Sequence, residues 1–293
     1  KNEIPECTVP LTAPGLSSSM NLPEFYMGAT AEFKKVDGVW IDGMGHDSMG
    51  EALQRMQESY AAGLIDMEVV TNTTSNCRDQ WYSGSVGVFN YWGGNWGQTL
   101  TERLQINVPE AEVIAIDPID GAVYEFSTPS ILTINSNLSQ EEIESIFKYF
   151  IEYMHDGGEG QVLFQSGVEG VHWEQNGNEL VQLPALSNSE ETFRKAWVTP
   201  WLGISPLKVT DKELKMHEAV TDSLEVINEY GVNKLIYPVS STLTRIKSDL
   251  DLIKQEVIAK VVMGEMTVEQ GMEKYRGEAE LLNVEAVLAE MNQ

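Results

Sequence analysis

The stretch Trp81-Tyr-Ser-Gly-Ser-Val-Gly-Val-Phe-Asn-Tyr-Trp-Gly-Gly-Asn-Trp-Gly97 holds tryptophans at 81, 92 and 96, glycines beside the last two, and no charged side chain. A plain core has little use for glycine next to tryptophan, because glycine adds backbone entropy and packs nothing. A surface that stacks against a flat ligand uses both. The alternation of small and apolar residues over 85 to 91 predicts a strand. Trp92 and Trp96 then fall in the loop at its end, where side chains can project into a cleft.

The rest of the chain sets limits on what that ligand can be. With 293 residues and 42% hydrophobic composition, the chain can bury a sizeable core as one large domain or two lobes. Nineteen basic residues face 45 acidic ones, for a formal charge of −26. That field repels phosphate backbones and anionic lipid surfaces, which argues against nucleic acid as a partner. A neutral ligand, a cation or a basic protein face stays open, and a polyanion requires local basic residues such as Arg78 to offset the field. No apolar run approaches the roughly 20 residues that span a bilayer. No signal peptide pattern opens the chain, so any targeting segment is expected outside it. Cys7 and Cys77 lack metal-ligand spacing and read as two separate buried thiols, with a disulfide as the alternative.

Outward from the opening stretch, local signals place the other elements. Asp37-Gly38 between short apolar runs predicts a hairpin over 33 to 40. Asp47 is expected to cap a helix with Met49, Leu53, Met56 and Tyr60 on one face, ending at Gly63. Further strands are expected at 112 to 117 and 130 to 135, with Asp117-Pro-Ile-Asp-Gly121 between them as a crossover turn. Ser139 and Glu142 form a capping box for a helix whose stripe is Ile143, Ile146, Phe147, Phe150 and Met154. A short helix over 161 to 165 follows, and Asn176-Gly177 turns a hairpin whose first arm holds His172 and Trp173. Helices are then expected at 211 to 229, 240 to 263, 267 to 275 and 284 to 291. The pattern is that of an α/β protein with intermittent sheets and a helical tail.

Several chemistries are missing. No Gly-x-Ser-x-Gly elbow, phosphate-cradling loop, dinucleotide fingerprint or His-Glu-x-x-His helix occurs. The four histidines do not cluster. His172 beside Trp173 reads either as a ligand-facing donor or as an ordinary hydrogen-bonded histidine. With 45 acidic residues, a carboxylate pair for glycoside chemistry carries no weight without geometry.

Of the 7 tryptophans, Trp40 and Trp81 read as core or half-core residues. Trp92 and Trp96 read as ligand-facing. Trp173, in a glycine-flanked segment, and Trp201, in the loop beginning Thr199-Pro-Trp-Leu202, are candidates by the same reasoning. Flat aromatic faces suit the C–H faces of sugars, and neighbouring Asn, Glu and His suit their hydroxyls. Carbohydrate is the ligand class this composition favours.

Trp81-Tyr-x-Gly-x-Val-Gly-Val followed by Trp92-Gly-Gly-Asn-Trp96 resembles the strand and sugar-binding loop of family 1 extracellular solute-binding proteins, the receptors of carbohydrate importers. Ile146-Phe-Lys-Tyr-Phe-Ile-Glu-Tyr-Met-His-Asp-Gly-Gly-Glu-Gly-Gln161 and Gly167-Val-Glu-Gly-Val-His-Trp173 are similar to the family's large lipoprotein branch in Gram-positive bacteria. The tail, Ile258-Ala-Lys-Val-Val-Met-Gly-Glu-Met-Thr-Val-Glu-Gln-Gly271, is similar to its closing helices.

The resemblance implies a two-lobe, periplasmic-binding-protein-like type II α/β fold with part of the first lobe missing, closing on ligand by a hinge. Residues 1–115 and 206–293 would form the second lobe and 116–205 the return segment of the first, crossing near 117 to 121 and 200 to 208. By the same resemblance Trp92 and Trp96 stack on an oligosaccharide, Asn95, Glu169 and His172 hydrogen-bond it, and Trp173 lines the opposite wall. The implied function is that of an extracytoplasmic receptor, anchored as a lipoprotein in its full-length form, that delivers sugar to the membrane subunits of an ABC importer. Lys1-Asn-Glu-Ile-Pro5 resembles the end of a calcium-binding loop whose last carboxylate Glu3 matches. The upstream ligands are absent and Asn2 stands where an aspartate is common, so no cofactor is expected for this chain and calcium only for a longer form. Two rival readings stand beside this one: a glycan-active enzyme (glycoside hydrolase or lyase), and a peptide-binding receptor of similar architecture.

Overall fold

A computed structural model describes residues 7–119, 121–126, 132–177, 179–183 and 217–293. The chain opens with strand β1 (Val9–Thr12), the single-turn helix α1 (Pro23–Tyr26) and a hairpin of β2 (Phe33–Val36) and β3 (Val39–Asp42). The expected Asp37-Gly38 turn is present, with φ of 50° and 85°. Positive φ at both central residues is the mirror-image turn whose twist matches that of the flanking strands. Helix α2 (Asp47–Ala61) follows and the chain leaves it through Gly63, at φ 67°. Its cap is His46, whose ring Nδ1 accepts the Ser48 N–H at 3.2 Å, so Asp47 is the first helical residue and not the cap.

Helix α3 (Thr74–Tyr82), strand β4 (Val86–Phe89), helix α4 (Asn95–Asn107) and strand β5 (Tyr124–Phe126) continue the chain. Segment 112 to 117, expected as a strand, is exposed and unpaired, with Ile114 72% accessible. Its apolar alternation has no partner strand among the described residues. Of the strand expected at 130 to 135, residues 132 to 135 are irregular and the first two lie outside the described residues.

The capping box at Ser139 and Glu142 forms as expected and starts helix α5 (Gln140–Ile146). The helix continues as a π-helical segment over Phe147–Glu152. A π-turn rotates all that follows it relative to an α-helix. The apolar stripe therefore does not form one buried face: Met154 is buried, whereas Phe147 and Phe150 are exposed. Asp156 accepts the N–H groups of Gly158, Gly160 and Gln161 and so caps helix α6 (Glu159–Ser166). Strands β6 (Trp173–Asn176) and β7 (Glu179–Gln182) make the second hairpin.

Helix α7 (Glu218–Tyr230), strand β8 (Gly231–Asn233) and helices α8 (Ser241–Val262), α9 (Val268–Leu281) and α10 (Val284–Met291) complete the order. Residues 211 to 216 of the expected helix lie outside the described residues, as does the expected crossing near 200 to 208. Lys1–Phe126 with Glu218–Gln293 form one compact unit, and Ser127–His217 form another.

Four two-stranded pairs make up the sheet structure among the described residues. β1 runs parallel to β4, with Val9 opposite Val86 and Thr12 opposite Phe89, and β5 runs parallel to β8. Parallel pairs need long crossovers, which here carry helices, and that makes the larger unit α/β. Its core joins Leu53 and Met56 of α2 to Val257, Ile258 and Val261 of α8, Tyr275 of α9 and Val287 of α10. Gly271 lets α9 approach α8: a Cβ there would stand 2.3 Å from Val261 Cγ2.

Glu290 of α10 ties that helix to the start of α8. Its carboxylate accepts the Thr242 hydroxyl at 2.6 Å, the Ser240 hydroxyl at 2.7 Å and the Thr242 N–H at 3.1 Å. These donors hold its carboxyl down to about 2, below the ordinary 4.5. A group with a depressed native value stabilises the fold above its ordinary value, and the contribution is lost as pH falls through the depressed one. Glu290→Gln is therefore expected to be less stable than the parent at pH 7. The deficit should close as pH drops from 4.5 to about 2. Paired urea melts across that range check it, and a deficit independent of pH would contradict the assignment.

Candidate functional site

The parallel pairing of β1 and β4 brings their carboxyl ends together, and Asn90, Tyr91 and Trp92 follow directly from β4. In α/β folds the space beyond such strand ends is where ligands bind. Gly94, at φ 65°, turns the chain into α4, whose first turn carries Asn95 and Trp96. Trp96 is thus fixed on a helix and not in a free loop. Helix α7 holds that turn in place. The Gly94 N–H donates to Ser223 Oγ at 2.8 Å, and a Cβ on Gly97 would stand 2.4 Å from the Ala219 carbonyl oxygen. At 97, then, glycine serves close helix packing and not the backbone freedom read from the sequence.

Four rings run in series from this point. Trp81 and Phe89 have centroids 6.0 Å apart, Phe89 and Tyr91 stack at 4.8 Å, and Tyr91 meets Trp96 edge to face at 5.1 Å. Arg78 closes the series with its guanidinium 5.3 Å from the Trp96 ring centre. Its Nη1 donates to the Tyr91 hydroxyl at 3.4 Å and its Nη2 to Ser75 Oγ at 3.1 Å. Burial pushes the Tyr91 hydroxyl above its ordinary value while Arg78 pulls it part of the way back, so it is protonated at neutral pH. Trp92 stands apart from the series with 49% of its surface accessible. Asn90 beside it donates to both carboxylate oxygens of Glu24, at 2.8 and 2.9 Å.

The placement of Arg78 depends on how α3 docks. Thr12, at the end of β1, is fully buried, and its hydroxyl lies 2.7 Å from Gln80 Oε1 and 2.9 Å from Asp66 Oδ2. Asn72 donates to the same Asp66 oxygen at 2.7 Å. Burial raises the Asp66 carboxyl, but hydrogen bonds from the Glu68 N–H, Asn72, Thr12 and Gln80 outweigh it and leave the group below its ordinary value. This polar knot fixes α3 against β1 and sets Arg78 over Trp96.

Of the sequence-predicted ligand residues, the structure gathers Arg78, Trp92, Asn95 and Trp96 in the larger unit. Glu169, His172 and Trp173 gather in a turn of the smaller one. There Gly167 adopts φ 81°, Glu169 is exposed, and His172 Nδ1 accepts the Val168 N–H at 2.9 Å. Trp173 is only 7% accessible and its indole N–H donates to the Gly167 carbonyl at 3.0 Å. An indole so enclosed packs the unit and presents no open face in this arrangement. Trp201 and Glu3 lie outside the described residues.

Sequence reasoning passed over Tyr91, Phe89 and Ser75. The first two were accessible from the two-residue period, which places 89 and 91 on one side of the strand expected over 85 to 91. Ser75 had no such signal.

A recess of about 560 Å³ opens over Lys148, Tyr149, Glu152, Tyr153 and Asp156, and another of about 330 Å³ over Thr8 to Pro10, Gly63 and Ile65 to Glu68 with Gln80. Neither includes Arg78, Trp92 or Trp96. Among the described residues, no group of three or more His, Cys, Asp or Glu is placed to hold a metal ion. Both cysteines are free thiols, and burial pushes that of Cys77 up. No helix among the described residues is long and apolar enough to cross a membrane.

No protein-family model matches the chain, and no curated protein matches it. Solved structures do. The alginate-binding protein AlgQ2, in a calcium-free form, matches at TM-score 0.63 with 15% identity, over 99% of this chain and 64% of its own. An HMO-binding, ABC-transporter-associated solute-binding protein from Bifidobacterium longum infantis matches at 0.66 with 15% identity, over 100% and 66%. The S. pneumoniae ABC-transporter substrate-binding protein FusA, in complex with kestose, matches at 0.62 with 17% identity, over 97% and 62%. The chain spans just under two thirds of each. At these identities the likeness is one of fold, and the chain shares the α/β fold of these proteins.

Proposed function

We propose that this chain is the sugar-binding portion of an extracytoplasmic, non-enzymatic receptor that hands an oligosaccharide to an ABC importer. The observation that carries the reading is the half-open aromatic site at the end of β4: a ring series closed by Arg78, with Trp92 standing free beside it. Exposed indoles at strand ends suit the C–H faces of sugars. The solved proteins of like fold lend support, since one is alginate-binding, one HMO-binding and one a complex with kestose. On this reading residues 1–115 and 206–293 belong to the second lobe and 116–205 to the return segment of the first. The resemblance of 146–161, 167–173 and 258–271 to the large lipoprotein branch found in Gram-positive bacteria supports an anchored, full-length form of that kind.

Calorimetry of the chain against oligosaccharide and peptide panels, with product analysis of every sugar that binds, tests the proposal. Sugar binding without turnover supports it. Turnover selects the enzyme reading, and binding of peptides alone selects the peptide receptor.

Trp92 gives the sharper test of the site. Its indole is half exposed, so truncation opens no core cavity. Trp92→Ala is expected to weaken binding of the best sugar by about 1 to 3 kcal/mol with an unchanged melting transition. Unaltered affinity would remove Trp92 from the site.

A further inference from the structure

We infer that the site built around Arg78 is specific for an oligosaccharide carrying a carboxylate, with the Arg78 guanidinium as the group that receives it; this rests on the sugar-binding reading above. A guanidinium has five N–H donors in a rigid fork. Two hydrogen bonds, to Tyr91 and Ser75, engage one hydrogen on each terminal nitrogen of Arg78. Three N–H groups are left without a protein acceptor among the described residues.

Acidic residues outnumber basic ones by 45 to 19, so an arginine in this chain has many carboxylates to choose from. The ion pairs among the described residues use Lys247, Lys260, Lys274 and Arg276, and Arg78 is among the cations outside them. It is half-buried, where an unpaired charge is costly, and stacking on Trp96 offsets only part of that.

Its position is set from three sides: by Tyr91 and Ser75 through hydrogen bonds, by the Trp96 ring, and by the docking of α3 at Thr12. A planar fork held beside Tyr91, with the exposed indole of Trp92 at the next residue, is suited to a planar anion attached to a stackable ring. A hexuronate residue combines both. Arg78 also occupies part of the Trp96 ring surface, which leaves Trp92 as the freer stacking face. Trp96 then acts by positioning Arg78.

The test uses acidic oligosaccharides prepared from pectin, alginate and hyaluronan, each paired with its carboxyl-reduced counterpart, together with sulfated disaccharides and neutral glycans, titrated into the chain. At least one acidic member is expected to bind about tenfold to a hundredfold more tightly than its reduced counterpart, the range for hydrogen bonds to a charged group. That preference should vanish in Arg78→Gln, with melting unchanged, and shrink in Arg78→Lys, which keeps the charge and loses the fork. Binding of neutral glycans in preference to every acidic one overturns the inference and leaves the receptor reading standing. Preference for the sulfated sugars over all uronates overturns the carboxylate assignment. A preference for acids that survives Arg78→Gln overturns the role of Arg78. No binding across the whole set overturns the receptor reading and this inference with it.

Discussion

Gly97→Ala is expected to destabilise the larger unit by about 3 kcal/mol and to abolish high-affinity ligand binding, although it adds one methyl group to a helix. The new Cβ would stand 2.4 Å from the Ala219 carbonyl oxygen, which belongs to the backbone of α7 and cannot rotate away. Overpacking of this kind typically costs about 1 to 3 kcal/mol and more when backbone must move. Helix α7 would shift off α4 and weaken the Gly94 to Ser223 hydrogen bond that fixes the turn carrying Trp96. Gly277 supplies the control. It lies within α9, and a Cβ there meets nothing within 4 Å. Gly277→Ala is expected to stabilise by roughly 0.5 to 1 kcal/mol, since alanine loses less backbone entropy on entering a helix. Urea melts of the two variants should therefore move in opposite directions. Movement of both the same way would mean that α4 and α7 do not approach as described.

Leu53→Ala carries the second large effect. Leu53 is fully buried in the cluster that joins α2 to the three closing helices. Removing its isobutyl group loses both transfer free energy and packing, about 2 to 5 kcal/mol in a core that cannot collapse. Hydrogen exchange should show the loss as equal drops in the protection of α2 and α8 amides, with α5 and α6 unchanged because they lie in the other unit. A loss below about 1 kcal/mol would place Leu53 at a site that relaxes freely.

The sequence was legible where chemistry is local. The Asp37-Gly38 turn and the capping boxes at 139 and 267 each complete their hydrogen bonds within a few residues, so pattern alone identifies them. The stripe Met49, Leu53, Met56 is equally self-contained, and all three residues are buried. Legibility ended where a residue's role is set by a distant partner. Glycine beside Trp96 looked like flexibility because Ala219 is far away in sequence. Trp173 looked open because its neighbours are glycine and polar residues, whereas its hydrogen bond to the Gly167 carbonyl follows from how the turn folds over it. Segment 112 to 117 has a strand's alternation, but a strand also needs a neighbour, which no window of sequence supplies. Arg78 was noticed for its charge, yet its seat on Trp96 depends on the docking of α3 through Thr12 and on the register of β4 against β1.

The joining of α2 to α8 bears on how the chain is made. Gln57 donates its side-chain amide to the Val261 and Met266 carbonyls, partners 204 and 209 residues further on. During synthesis the nascent chain therefore exposes the apolar face of α2 while the whole of the smaller unit is still being translated. The inserted unit is complete along the chain first, at a point when Leu53 and Met56 still lack their partners in α8. Non-local closure of this length is slow, and an unsatisfied apolar helix is the kind of segment that chaperones hold. The early part of the chain must in effect be kept waiting in solution until residues 241 to 291 emerge. Ribosome stalling positions placed before and after α8 would separate a protease-sensitive α2 from a protected one.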